Sequence, residues 1–282
     1  MSHVPGQLEA LGPGLARLLA PNPSPYTGEG TWVHLIGTER LAIIDPGPAD
    51  PAHLDALEAA IAGRPVDAIL VTHTHRDHSP ASRAVAAATG APIIGCAALA
   101  LESVGPRADA SFDFDYRPDR VLGDGEAIAV DGDAFSAVAT PGHTSNHLCF
   151  AYRGALFTGD HVMGWSTTVV VPPDGDMGAY MASLDVLRQR DDRVFYPAHG
   201  PPVTKPQQLV RGMSGHRMQR ERQILKRLGA GDRTVTEIVA AAYPGLDPRL
   251  VPAAGGSVTA HLLDLVRRGL VERDEGETWK SA

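Results

Sequence analysis

From Thr31 onward, apolar and polar positions fall into blocks whose period keeps changing. TWVHLIG and LAIID, separated by the polar turn Thr38-Glu39-Arg40, read as the two strands of a hairpin. PAHLDALEAAIAG predicts a helix stopped by Gly63. VDAILVT is a short apolar run of the buried-strand type. SPASRAVAAATG predicts a second helix ending at Gly90, followed by the strand APIIGC. From Asp119 to Phe157 the blocks shorten, and RVLGDGEAIAV, DAFSAVAT and NHLCFAYRGALFTGD read as short strands with Gly/Asp turns. DMGAYMASLDVLRQR then predicts a helix and VFYPAHG a strand. Residues 1–30, rich in Gly and Pro, predict an irregular lead-in with room for one short strand. Strands alternating with helices, mixed with hairpins, predict an α/β fold with a mixed sheet covered by helices.

Near Lys205 the texture changes. KPQQLVRGMSGHRMQRERQILKRLGAG predicts a long charged helix, TVTEIVAAAY a second and VTAHLLDLVRRG a third, before GLV enters a charged hairpin. That succession is the pattern of a winged helix. A chain of 282 residues is long enough for two domains, and the break predicts one over 1–208 and another over 209–282.

The formal net charge of −8 argues against broad attraction to nucleic acid or anionic membranes and leaves a local basic patch open. Cys96 and Cys149 are too few for a disulfide framework, so a reducing compartment is expected. Gly and Pro interrupt the N-terminus before a signal-type apolar run can form. No stretch approaches the ~20 apolar residues of a membrane span, and the cytoplasm is the default expectation.

The chemistry concentrates in THTHRDHS, where His73, His75, Asp77 and His78 fall within six positions. Neutral imidazole is the commonest protein ligand for transition metals. The bland alternative, a solvated polar loop, holds only if nothing else completes a site. Yet TPGHTSNH sets His143 just after a predicted strand, LFTGDH does the same for Asp160, and YPAHG for His199. In sheets flanked by helices, ligands bind at such strand ends.

H-x-H-x-D-H at 73–78, G-H at 142–143, G-D at 159–160 and H-G at 199–200 together resemble the metallo-β-lactamase superfamily over roughly residues 20–205. The resemblance implies an αββα sandwich with a dinuclear metal site at one edge between the sheets. It implies that His73, His75 and His143 bind one metal, that Asp77, His78 and His199 bind the other, and that Asp160 bridges them. The donor set suits two zinc ions; iron or manganese would also fit. Two ions ~3.5–4 Å apart can hold a bridging hydroxide and polarise the oxygen under attack. Asp77 would also orient the nucleophile. Asp45, in IIDPG, is expected to support the ligand loop. His147 and His161 are either core histidines or groups near the chemistry, with His147 as a proton donor. Trp165 is either a substrate wall or core filling. HRMQRER (216–222) reads as a solvated helix face, or as a receiver of a phosphate or carboxylate. His3, His34, His53, His216 and His261 are expected in the scaffold or at the surface.

Within the superfamily, true β-lactamases are usually secreted and commonly lack the bridging aspartate, and glyoxalase II carries a different, helical extension. THTHRDHS, TPGHTSNH, LFTGDHVMGWSTTVV, YPAHGPP, HRMQRERQIL and the winged-helix-like tail resemble the subgroup called β-lactamase-like protein 2. Some of its members cleave single-stranded RNA. The tail's basic residues (Arg211, Arg217, Arg220, Arg222, Lys226, Arg227, Arg267, Arg268) lack interleaved aromatics for base stacking. Hydrolysis of a small-molecule ester, thioester or lactone is therefore favoured, with RNA phosphodiester cleavage the alternative. A binding protein with purely structural metals is a third reading, disfavoured by so many ligands around two ions. The winged helix could serve a homo-oligomer. Loops 97–118 and 161–176 would shape the substrate pocket.

Overall fold

The computed structural model of the chain describes residues 3–100, 112–274, 276 and 278–282, so the loop expected over 97–118 lies partly outside the described residues. Seven strands form the first sheet, in chain order: β1 (Leu8–Gly12), β2 (Leu15–Leu19), β3 (Trp32–Ile36), β4 (Leu41–Ile44), β5 (Val66–Val71), β6 (Ile93–Gly95) and β7 (Arg120–Val121). β1 to β4 pair antiparallel, and β4 to β7 pair parallel. The nearly unbroken burial of VDAILV follows from its place in the parallel part, covered on both faces. The second sheet holds β8 (Ala127–Val130), β9 (Asp133–Ala139), β10 (Leu148–Tyr152), β11 (Ala155–Gly159) and β12 (Val194–Pro197), ordered β12-β11-β10-β9-β8.

Helices α1 (Pro51–Ile61) and α2 (Ala81–Thr89) cover the first sheet. Leu57, Ile61 and Val85 share one core with Ile43 and Leu70 and with Phe135, Phe150 and Phe157 of the facing sheet. Outside the second sheet, Tyr180, Leu184 and Leu187 of α3 (Met177–Arg188) pack on Cys149, Leu156 and Phe195. The layers are therefore α, β, β, α, as the resemblance implied. Cys96 and Cys149 are both free thiols, and burial pushes Cys149 up to about 12.

The N-terminal segment differs from its expected irregular form: β1 and β2 make a regular hairpin. Gly12-Pro13-Gly14 supplies its tight turn, and Arg17 lies buried, paired with Glu9 at 2.9 Å and stacked 3.6 Å above Trp32. The Gly and Pro residues mark a turn between strands rather than an absence of strands.

The long helix α4 (Pro206–Gly229) belongs to two cores. Val210 and Met213 pack with α3, whereas Ile224 and Leu228 pack with α5 (Val235–Ala242) and α6 (Val251–Arg267). The expected division after residue 208 thus falls inside the first turn of α4. Thr234 and Glu237 form a reciprocal capping box at the start of α5. The hairpin β13 (Val271–Arg273) and β14 (Trp279–Ser281) closes the small domain, as the winged-helix pattern predicted. Among the described residues no helix is long and apolar enough to cross a membrane.

Candidate metal centre

Four strand ends meet at one edge of the sandwich. There the sheets are joined directly: the Trp32 N–H donates to the Ala198 carbonyl at 2.7 Å, and the Leu148 N–H to the Thr72 carbonyl at 2.9 Å. The loop after β5 brings His73, His75, Asp77 and His78, the loop after β9 brings His143, the end of β11 brings Asp160, and the end of β12 brings His199. Two glycines make this convergence fit. Gly142, before His143, has φ +135, and a Cβ there would meet the Tyr180 backbone at 2.3 Å. Gly159, before Asp160, has φ +48 and would meet Thr72 Oγ1 at 2.6 Å and His147 Nε2 at 2.7 Å. Each must be glycine for reasons of both dihedral and space.

The seven expected ligands are brought together in two groups. His73, His75, His143 and Asp160 offer atoms within 4.8 Å of one another, and so do Asp77, His78 and His199. Asp160 stands between them. Its Oδ2 lies 3.9 Å from His73 Nε2 and 3.5 Å from His143 Nε2, while its Oδ1 lies 3.5 Å from His78 Nε2 and 3.1 Å from His199 Nε2. Asp77 Oδ2 sits 3.4 Å from His78 Nε2 and 3.3 Å from His199 Nε2.

The outer faces of these rings decide what the inner faces can do. His73 Nδ1 donates to the Thr72 hydroxyl at 3.0 Å, which itself donates to Asp45 Oδ2 at 2.7 Å. His78 Nδ1 donates to Asp45 Oδ2 at 2.9 Å, His143 Nδ1 to the Val169 carbonyl at 2.6 Å, and His199 Nδ1 to the Gly30 carbonyl at 3.1 Å. With Nδ1 donating outward, all four rings turn Nε2 inward, the atom through which a metal ligand would bind. His75 instead turns Nδ1 inward, 3.0 Å from His73 Nε2 and 3.1 Å from His143 Nε2. His78 Nε2 and Asp160 Oδ1 are buried with no hydrogen-bond partner, polar atoms that a cation would satisfy. Asp45, His73 and His78 also come close together. Asp45, however, binds their outer side, through Thr72 and His78 Nδ1, and so supports the ligand loop as expected.

Charge is divided across the site. Burial alone would raise the Asp160 carboxyl, but His199 and His78 hold it well below the usual carboxylate range. Asp77 is held low against burial by His78 and His199. Burial opposes a charge on His199, yet Asp160 and Asp77 push its pKa up to about 10. On the other side burial, then the neighbouring His143, pulls His75 down to about 3. One half attracts positive charge, and the other offers neutral nitrogens. Both suit cations.

His147 differs from its expected role as a proton donor. It is 1% exposed, its Nε2 accepts from the Asp160 N–H at 3.2 Å, and its Nδ1 lies 2.8 Å from the Thr140 hydroxyl. Both ring nitrogens are engaged behind the site, where His147 holds the Asp160 loop. His161 is fully buried against Tyr180, at 4.7 Å between rings, and does not face the cleft. Trp165 is 46% exposed and therefore not core filling; it lines a neighbouring cavity rather than the cleft over the ligands. That cleft, about 320 Å³, is walled by Asn22, Tyr26, Arg76, Met163 and Val169 beside the ligands. Nor is HRMQRER solvated throughout. Arg217 is 3% exposed, and its guanidinium donates to the Thr168 carbonyl beside Val169. Thr31, which no motif marks, donates to Asp77 Oδ2 at 2.9 Å.

The profile of the metallo-beta-lactamase superfamily matches residues 26–199, and that of the beta-lactamase associated winged helix domain matches residues 234–279. A beta-lactamase-like protein 2 homolog of Caenorhabditis elegans is 32% identical, covering 99% of this chain and 93% of its own. An atrochrysone carboxyl ACP thioesterase of Aspergillus chevalieri is also 32% identical, over 82% of this chain and 74% of its own. Among solved structures, a metallo-beta-lactamase family protein from Thermus thermophilus superposes with a TM-score of 0.80 at 24% identity. The match covers 97% of this chain and 100% of that one.

Proposed function

The chain belongs to the metallo-β-lactamase superfamily of metal-dependent hydrolases, and we propose that it cleaves the thioester of a small organic acid at a dinuclear, zinc-type centre. The observation that carries the dinuclear reading is Asp160, whose two oxygens face two separate groups of inward-turned ligands. His73, His75 and His143 would hold one ion, His78, His199 and Asp77 the other. Bound there, the ions supply a lowered pKa for water and a polarised carbonyl.

The protein's own residues supply the rest. Asp77 lines the cleft with one oxygen fixed by Thr31, placed to orient the attacking water and accept its proton. Water oxygen adds to the carbonyl carbon, the C–S bond breaks, and the thiolate leaves to take up a proton. The largely apolar walls, Tyr26, Met163 and Val169, exclude bulk water and receive the acyl group. The thioesterase name of relatives at this identity favours sulfur over an alcohol or lactone leaving group.

RNA cleavage has less support. Of the tail cations it would need, Arg227 pairs with Asp232, Arg267 with Asp176, Arg268 with Glu221, and Arg217 is buried. The test is metal content and turnover of wild type and Asp77→Ala against N-acetylcysteamine thioesters, aryl esters, lactones and single-stranded RNA. Two metals per chain, with thioesters turned over and the variant impaired, is the expected result. RNA cleavage that weakens steeply with salt and vanishes in the variant would replace the proposal with a nuclease.

A further inference from the structure

A second cavity, about 280 Å³, adjoins the metal cleft and shares Tyr26, Met163 and Val169 with it. It lies between the sandwich and the small domain: Trp165 and Thr168 form one wall, and Tyr243, Leu246, Leu250 and Ser257 the other. Its surface is mostly apolar. His216 and several hydroxyls also line it, and Arg217, buried at 3% exposure on α4, brings the fixed positive charge.

A buried guanidinium ordinarily has a carboxylate beside it, because an unpaired charge removed from water is costly. Among the described residues none reaches Arg217. Its hydrogen bond goes to the Thr168 carbonyl, its guanidinium lies 5.2 Å from the Tyr180 ring centroid, and its Nε is buried without a partner. The ionisable groups that feel its charge are His161, Tyr180, His216 and His261, none of them a carboxylate. Nearby acids are engaged elsewhere, Asp264 with Arg268 and Arg267, Glu221 with Arg268.

We propose that this cavity is the acyl subsite, and that Arg217 binds a carboxylate carried on the acyl group remote from the scissile bond. A single buried arginine in apolar walls matches one carboxylate on a hydrocarbon or ring body; a phosphate dianion would call for more donors. The assignment rests on the thioesterase reading for the bond cleaved, but not for the binding itself.

The test uses paired N-acetylcysteamine thioesters of equal length, one ending in a carboxylate and the other in its methyl ester. Wild type should favour the carboxylate by about 10- to 100-fold in kcat/KM, the value of one charge-assisted contact. Arg217→Gln should bring that ratio near unity, whatever happens to the absolute rate. Calorimetry with the matching non-hydrolysable thioethers separates the two readings, since binding needs no turnover. Leu250→Trp, which narrows the cavity from the other domain, should weaken thioether binding even if Arg217→Gln does not fold. Thioethers that discriminate while no thioester is cleaved would retain the subsite and remove the thioesterase. Equal binding of the two thioethers to wild type, or a ratio unchanged in Arg217→Gln, would overturn the subsite.

Discussion

The metal-bearing edge of the sandwich and the small C-terminal domain are built on opposite principles. At the edge, Asp45, Thr72, His73, His78 and His147 are all nearly inaccessible, and hydrogen bonds on their outer sides tie them to one another or to the backbone. In the small domain the interior is largely apolar, from Ile238 through Leu262 to Trp279 with His261 buried in α6, and charges sit outside in ion pairs such as Arg227 with Asp232. A buried polar network fixes geometry at a cost in desolvation, whereas an apolar core stabilises without fixing any one atom. The first kind of region should therefore fail by losing chemistry, and the second by losing stability.

Substitutions can separate these two kinds of failure. Asp160→Ala, which removes the group common to both ligand sets, should lower kcat/KM by about 10³-fold or more with the fold retained. Steady-state kinetics and metal analysis on one preparation would check it. Leu262→Ala, in the small domain's core, should cost about 2–5 kcal/mol in denaturant unfolding while metal content stays at the wild-type value. Loss of metal in that variant would break the contrast. Asp45→Ala leaves every inward ligand in place but frees His78 and Thr72, and should weaken metal binding about 10- to 100-fold in competition with a chelator.

A smaller effect concerns pH. Burial, then Arg217 and Arg220, lowers His261 to about 3, against an ordinary value of 6.5. Below pH 6.5 the unfolded chain binds a proton that the folded chain does not. Its contribution to stability is thus complete above 6.5 and declines as pH falls toward 3. His261→Leu should flatten the pH dependence of unfolding in that window by up to one proton. Smallest of all, Arg267→Ala breaks an exposed pair with Asp176 across the two domains and should change stability by less than about 1 kcal/mol.

The same contrast governs what could be read from the sequence. The ligand loops were legible because each follows an apolar strand and carries its His or Asp in a loop that also holds a Gly or Pro. The winged-helix pattern was legible from its succession of helices and the final hairpin. The hairpin of β1 and β2 was not, since the exposed edge strand LEALG lacks a clean apolar alternation. Arg217 was hidden for a different reason. Its setting is that of a solvated charge run, and it is contacts distant in sequence, with Thr168 49 residues earlier and with Tyr180, that mark it as buried. The outer partners of His143 and His199 are backbone carbonyls of Val169 and Gly30, which no residue type announces. His147 was legible as a histidine near the site but not as one with both nitrogens engaged.

The double seating of α4 bears on how such a chain can be taken apart. One rigid rod has its first half in the sandwich's outer core and its second half in the small domain, and between them Arg217 grips the segment whose next carbonyl orients His143. The small domain is accordingly not a cassette to be cut away or exchanged at a linker. A truncation before α4 would unroof the sheet, one within it would leave half a rod without a socket, and a graft from a relative would have to reproduce the helix's tilt as well as its sequence.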